Sequence, residues 1–256
     1  MLDLFLSQTQ ILQELGGIWI VGLLVFTRVL AFASMAPLIG HKSIPGLVKI
    51  SFAILLTLLI IPSLQVPSEY PKDFYFVYLI AFNALIGLFI GWISQLVIEI
   101  CRAAGEMLDM QMGLNAATLF DPGTQTQSTI IGRFFDFIAL VIFISIGGME
   151  KVITGLYKSF EKFPIVLSEF DINFFKVLHA TSDVIGMSFV IVSPIIITIL
   201  VVDLILGLMS RAAPQINAFQ ISFSIKPALG LILMLLLLPA LLQIFAGLFS
   251  NPLKFF

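Results

Sequence analysis

Few side chains in this 256-residue sequence have the types and spacing that catalysis or metal binding requires. The two histidines, His41 and His179, stand far apart, and the one cysteine, Cys101, allows neither an internal disulfide nor a thiolate cluster within the chain. Neither an H-E-x-x-H zinc motif nor a G-x-x-x-x-G-K-[ST] phosphate loop occurs, and the serines and acids have no hydrolase-like arrangement. We therefore predict no enzymatic activity, no metal site and no cofactor.

A stripe of small and polar residues follows one long stretch of the sequence. Its members recur every four residues and then continue as charged residues toward Gly113. They are Asn83, Gly87, Gly91, Gln95 and Glu99, followed by Arg102, Glu106 and Asp109. Residues at this spacing share one side of a helix, and Gly87 and Gly91 form a G-x-x-x-G pair that lets a neighbouring backbone come close. The stripe predicts a long helix that meets neighbouring helices along its polar side, with ion pairs between Arg102 and the acids around it.

Charged residues also interrupt the apolar stretches. An arginine in the middle of a span costs about 2.5–3.5 kcal/mol on insertion scales, so Arg28 predicts a partner or snorkelling to the interface. Arg133 and Asp136 stand three residues apart and can neutralise each other. Together with the prolines Pro194 and Pro239 inside apolar stretches, these charges leave a multi-spanning small-solute transporter open as one interpretation.

The elements that position these residues are apolar helices. The sequence is 59% hydrophobic and 11% charged, with a mean hydropathy of +1.11. Hydropathy resolves six stretches, each close to the ~20 residues that a helix needs to cross a hydrocarbon core and too continuously apolar for barrel strands. They are residues 16–36, 50–66, 74–98, 129–149, 184–209 and 227–249. Residues 150–183 predict one or two amphipathic interfacial helices broken at Pro164. The sequence predicts an all-α polytopic membrane protein with several kinked or broken helices, and its formal net charge of −2 predicts no nucleic-acid surface.

The segment from 101 to 128, CRAAGEMLDMQMGLNAATLFDPGTQTQS, is neither a clean apolar span nor an ordinary charged loop. Its methionines are flexible and polarisable, which suits closure around an irregular surface and equally suits ordinary helix packing. Asp121-Pro122-Gly123 predicts a turn, and Ser128 or Thr129 is the predicted N-cap of the next helix.

Two signatures in this sequence resemble those of a known family. GEMLDMQMGLNAATLFDPGTQTQS resembles the G-E-x-x-x-x-Q-x-G segment and following DP of the FliR family, flagellar biosynthesis proteins related to an export-gate subunit of virulence type III secretion systems. SRAAPQINAFQISFSIKP resembles that family's second signature, in which a PQ-x-N stretch precedes a basic residue and the last hydrophobic segment. Length, six hydrophobic stretches and the order of both signatures match, so the resemblance covers essentially the whole chain.

The resemblance implies a structural and gating subunit of the flagellar type III protein export gate, a helical hetero-oligomer in the bacterial inner membrane at the flagellar basal body. The implied partners are FliP, FliQ and FlhB, together with unfolded exported proteins in transit. The family's hydrophobic segments are largely lifted out of the lipid plane, so six hydropathy peaks need not be six crossings. We expect one domain, 1–256, with a FliP-like helical part at 1–183 and a FliQ-like helical hairpin at 184–256, whose Lys226-Pro227 resembles the FliQ loop.

By the same resemblance, residues 105–123 correspond to a plug that closes the pore. An apolar plug blocks ions because stripping their hydration shell is costly. The predicted apolar closure consists of Met107, Met110, Met112, Leu114, Leu119 and Phe120. The residues predicted to position it are Gly105, Glu106, Gln111, Gly113, Asp121, Pro122 and Gly123. We assign subunit contacts to Asn83, Gly87, Gly91, Gln95, Glu99, Arg102, Asp203, Arg211, Gln215, Asn217 and Lys226.

Overall fold

Seven α-helices make up the described part of the chain, and no β-strand occurs there. The computed structural model describes residues 2–41, 43–64, 73–114, 129–165, 174–215 and 217–250, with the backbone alone at 2–16, 18, 73–74, 174–182 and 250. The helices are α1 (Leu2–Met35), α2 (Gly46–Ile60), α3 (Asp73–Met112), α4 (Ile130–Ser145), α5 (Gly148–Lys162), α6 (Phe174–Ala212) and α7 (Ala218–Ser250). A short 3-10 turn, Ile61–Ser63, follows α2. The predicted all-α fold is confirmed.

The helices are long and apolar enough to make this a polytopic membrane protein. Among the described residues, four segments have membrane-spanning length and composition: Gly46–Ser63, Tyr75–Met112, Asp183–Ala212 and Ala218–Phe249. A fifth is added if α4 and α5 are taken as one broken span, whereas the apolar part of α1, Trp19–Met35, is shorter. The six apolar stretches of the sequence thus correspond to four or five spans by length and composition.

The interruptions between helices fall at residues with special backbone preferences. Gly147, between α4 and α5, has a φ of +68°, a left-handed conformation that glycine adopts without steric cost. The amphipathic helix predicted after residue 150 is α5, and it ends ahead of Pro164 as expected. Pro194 lies inside α6, and Pro227 and Pro239 lie inside α7.

The first of two compact units contains Met1–Gln95 and Met149–Ile172. Its core is built on α1, whose apolar residues recur every three or four positions and therefore occupy one side of the helix. The buried core comprises Val21, Leu24, Val25, Val29, Phe32, Ala36, Ala53, Ile60, Leu79, Leu156, Phe160 and Ile165. Gly87 and Gly91 of α3 lie directly against α1: a Cβ added at Gly91 would stand 2.8 Å from the carbonyl oxygen of Phe32. The close approach predicted from the G-x-x-x-G pair is confirmed.

The second unit contains Leu96–Gly148 and Asn173–Phe256. In it α7 packs on both α6 and α4. Phe135 of α4 meets Phe245 of α7 edge to face with ring centroids 5.4 Å apart, a favoured geometry for buried aromatic pairs. Ser188 of α6 donates a hydrogen bond to the carbonyl oxygen of Ile100 (2.9 Å), and Cys101 is fully buried next to it in sequence. The predicted division of the chain at residues 183 and 184 stays a prediction.

Candidate functional site

The described part of the segment 105–123 is the end of α3 and the turn that stops it. Gly113 has a φ of +76°, its N–H donates to the Met110 carbonyl (3.2 Å), and the Leu114 N–H donates to the Asp109 carbonyl (3.0 Å). This pair of bonds is the Schellman motif, which needs a residue that tolerates the left-handed conformation. Gly113 therefore fixes the point at which the chain leaves α3.

Asp109 of α3 binds the N-terminus of α4. Its side chain is fully buried, and Oδ2 accepts hydrogen bonds from the backbone N–H groups of Ile131 (2.8 Å) and Gly132 (3.1 Å). These are two of the N–H groups that a helix start leaves without an intrahelical partner, and the helix dipole favours negative charge there. Thr129 occupies the N-cap position, as predicted, but its side chain makes no capping bond. A carboxylate on another helix thus does what an N-cap side chain usually does.

The backbones of α3 and α4 touch one turn away from that carboxylate. A Cβ added at Gly105 would stand 2.7 Å from the Cα of Gly132 and 2.7 Å from the carbonyl oxygen of Ile131. A Cβ added at Gly132 would stand 2.9 Å from the Cγ of Glu106. The two helices that flank residues 115–128 are therefore held together by a glycine-on-glycine contact at Gly105 and by the capping bonds of Asp109.

The apolar residues of the predicted plug occupy different environments. Met112 is buried, and its Sδ and Cγ lie 2.7 Å from where a Cβ on Gly230 of α7 would stand. Met110 is 72% exposed, while Met107 and Leu114 are half-buried. Five of the predicted residues lie outside the described part of the chain: Leu119, Phe120, Asp121, Pro122 and Gly123. The plug role of all of these residues stays a prediction.

A chain of charged residues lies on α3 just before the plug segment. Arg102 pairs with Glu99, and its Nε lies 3.6 Å from Oε1 of Glu106. The ion pairs expected from the spacing of three and four residues are confirmed. Gln95, four residues before Glu99, and Gln111, five residues after Glu106, are both half-buried.

Arg28 of α1, in the first unit, binds the C-terminal end of α5. Its Nη1 donates to the carbonyl of Ser159 (3.1 Å), its Nη2 donates to the carbonyl of Phe163 (2.9 Å), and the guanidinium lies 4.3 Å from the centroid of the Phe160 ring. Asn83 Oδ1 accepts from Nε (3.0 Å) and from Nη2 (2.7 Å). Helix C-termini carry partial negative charge, so the buried cation is balanced by a helix end and an amide.

The interface residues predicted on the last two helices hold the hairpin together or lie at its tip. Asp203 of α6 forms an ion pair with Lys226 of α7. Asn217 caps α7, since its Oδ1 accepts a hydrogen bond from the N–H three residues further on (3.2 Å). Gln215 and Asn217 line an open cleft of about 610 Å³, and Arg211 is exposed in the last turn of α6. The roles of these residues and of the α3 stripe in contacts with other subunits stay predictions.

Two partners of the site carried too weak a sequence signal to be found. Asp109 belongs to the polar stripe, but the N–H groups that it binds are 22 and 23 residues away. Gly132 is the one glycine in its apolar helix. Its role as a contact residue is recognisable only from Gly105, the glycine of α3 that faces it. Among the described residues, no group of three or more His, Cys, Asp or Glu side chains is placed to hold a metal ion.

Comparison with known proteins gives a consistent result. The model of the family described as bacterial export proteins, family 1, matches residues 19–251. The flagellar biosynthetic protein FliR of Escherichia coli K12 is 33% identical over 225 residues, which cover 88% of this chain and 86% of the relative. The protein of the same name from Bacillus subtilis 168 is 29% identical, covering 89% and 90%. The secretion system apparatus protein SsaT of Salmonella typhimurium LT2 is 30% identical, covering 86% of this chain and 88% of the relative.

Proposed function

This chain belongs to family 1 of the bacterial export proteins, and from that membership we propose that it is a structural and gating subunit of the flagellar type III export gate. Relatives named as flagellar biosynthetic proteins match nearly its full length, and one named as a secretion system apparatus protein matches it at similar identity. These names favour protein export over the small-solute transporter. No step of the proposal requires catalysis by this chain.

The proposed partners are FliP, FliQ and FlhB, in the bacterial inner membrane at the flagellar basal body. Large apolar side chains cover the outside of the hairpin formed by α6 and α7, which is where a partner helix or lipid must lie. They include Phe189, Val190, Ile197, Leu200, Leu204, Leu208, Phe219, Leu235 and Leu236. The similarity of this hairpin to FliQ supports a stack of like hairpins, with the tie between Asp203 and Lys226 keeping its two helices in register.

The proposed gate is the segment 105–123, with an apolar seal formed by Met107, Met110, Met112, Leu114, Leu119 and Phe120. The observation that supports it most is the contact of α3 with α4, because the helices on both sides of residues 115–128 are joined at Gly105 and Asp109. When the two ends of a segment are held together, the segment can close a pore while the helices on either side of it stay in contact. An exported chain would displace the weak contacts of such a seal one at a time.

Deletions within 115–120 test this proposal without touching the described contact. We expect the complex with FliP and FliQ to assemble and to conduct ions continuously in planar lipid bilayers, because the hydration barrier is lost. Deletions of equal length within 166–171, between α5 and α6, serve as the control and should leave the conductance low. Assembled complexes that stay non-conducting across the whole deletion series would rule out the plug.

A further inference from the structure

We propose that Asp109 is a positioning residue of the gate: it holds α4 against α3 by capping α4, and Thr129 is a reserve cap that takes over when the two helices part. This inference rests on the proposed gating function, but the residues that carry it all belong to the described helix ends. It gives the buried acid that joins α3 to α4 a role in the change between closed and open arrangements.

Two acceptors are available for one set of donors. Asp109 Oδ2 takes the N–H groups of Ile131 and Gly132, the second and third residues of α4. An N-cap threonine ordinarily accepts from these same positions with its own hydroxyl. Thr129 holds the N-cap position, yet its Oγ1 is buried and has no hydrogen-bond partner in the part of the chain that the structure describes. That oxygen stands 2.5 Å from where a Cβ on Gly132 would be, so it lies beside one of the two residues whose N–H groups it would cap.

The closest approach of α3 and α4 involves backbone atoms. Gly105 and Gly132 meet backbone to backbone and have no side chains that interlock across the contact. A further tie is the carboxylate of Asp109, whose Oδ1 is buried and has no hydrogen-bond partner among the described residues, so its hydrogen-bonding capacity is only partly used. Parting the helices breaks both hydrogen bonds that Oδ2 accepts from α4, so the carboxylate favours the closed arrangement.

Without a reserve cap, opening would leave the start of α4 without a capping side chain, and an uncapped helix start is less stable even where water reaches it. With Thr129 at hand, the hydroxyl replaces the carboxylate and α4 stays capped in both arrangements. The two residues therefore act in opposite directions: Asp109 stabilises the closed contact, and Thr129 stabilises the open one.

The test uses the full-length chain in the assembled complex with FliP and FliQ, reconstituted in planar bilayers. Asp109→Ala should raise the open probability about ten- to a hundredfold, the effect of losing a hydrogen bond to a charged group, with unchanged copurification of the partners. Asp109→Asn keeps an acceptor oxygen but no charge. Its open probability should therefore lie between those of the wild type and Asp109→Ala, and nearer to the wild type. A residue that only stabilised the fold would lower assembly and would not change gating in this graded way.

Thr129→Val tests the reserve cap, because valine has the same shape and lacks the acceptor. The complex should remain closed like the wild type, while the rate of flagellar protein export in cells falls severalfold. The two sites should also be coupled: Thr129→Val should lower the Tm far more in the Asp109→Ala background than alone. Glu161→Gln, on the exposed side of α5, and Thr198→Val, whose hydroxyl donates to the Pro194 carbonyl within α6, are matched controls expected to behave like the wild type.

Wild-type open probability in both Asp109 variants would overturn the role of Asp109. If Asp109→Ala fails to assemble, Asp109→Asn alone decides that question, because it preserves shape and one acceptor. Wild-type export in Thr129→Val together with additive Tm changes would overturn the reserve cap. The proposed function and this inference can fail separately. If the 115–120 deletions conduct ions and the Asp109 variants have the wild-type open probability, only this inference is refuted. If the deletions do not conduct and the Asp109 variants have a raised open probability, only the plug is refuted.

Discussion

Arg28 illustrates how one buried cation is accommodated in an apolar helix with no acid among its described contacts. Its guanidinium is bound by an amide oxygen of α3 and by the last carbonyls of α5, and it stacks on an aromatic ring. The sequence was sufficient to predict that Arg28 needs a partner, because the cost of an unpaired arginine is general. It could not identify the partners, since they stand 55, 131 and 135 residues away and two of them are backbone carbonyls.

Arg28→Ala should destabilise the first unit, because it leaves Asn83 Oδ1 and the Phe163 carbonyl without the donor that they have now. Unsatisfied buried acceptors cost about 1–3 kcal/mol each, so we expect a fall of Tm on the order of 5–10 °C in detergent. The Tm of Arg28→Lys should lie between those of the wild type and Arg28→Ala, since an ammonium group cannot bridge both acceptors in the same plane. Thr27→Ala removes a hydroxyl bonded to α1 itself and serves as the control. Equal Tm values for Arg28→Ala and Thr27→Ala would show that the network contributes nothing.

At the scale of elements, helix contacts are set by glycines that face another backbone. The pair Gly87 and Gly91 was recognisable from its spacing within one helix, and the structure places both against α1. The contact between Gly105 and Gly132 was not recognisable, because each helix contributes one glycine and no local pattern links them. Helix existence followed from apolar runs, and the length of α3 followed from a polar stripe that continues to residue 113, where the glycine cap ends it.

Gly105→Ala should force α3 and α4 apart, because the new methyl group would collide with backbone atoms 2.7 Å away, which cannot rotate aside. Overpacking of this kind costs about 1–3 kcal/mol, so a lower Tm and weaker copurification with FliP are expected. Gly155→Ala is the matched control: nothing lies within 4 Å of its added Cβ, and alanine favours a helix. A Gly105→Ala protein as stable as Gly155→Ala would mean that the two backbones do not touch in the membrane.

At the scale of the whole molecule, the chain exposes more large apolar side chains on α6 and α7 than it buries there. A solvated protein would not tolerate this, so lipid or other subunits cover these helices. Composition was sufficient to predict membrane embedding. Composition could not distinguish lipid from protein as the cover, since an apolar side chain packs equally well against either.

The thiol of Cys101 offers a measurement of that difference, because it is buried in the second unit. If partner helices cover α6 and α7, binding stabilises the folded chain, and maleimide labelling of Cys101 should slow at least about tenfold in the complex with FliP and FliQ relative to the isolated chain in detergent. Ser210 is exposed, so a Ser210→Cys variant that also carries Cys101→Ala serves as the control. Its thiol should react with maleimide rapidly in the isolated chain. Equal Cys101 rates in both preparations would favour lipid as the main cover.

The length of α3 has a geometrical consequence. Its 40 residues rise about 60 Å at 1.5 Å per residue, roughly twice the thickness of a hydrocarbon core of about 30 Å. To lie wholly within the bilayer, a straight helix of this length would tilt by roughly 60° from the membrane normal, beyond the range of about 0–40° seen for membrane helices. Part of this helix must therefore stand outside the hydrocarbon, where headgroups, water or other protein surround it.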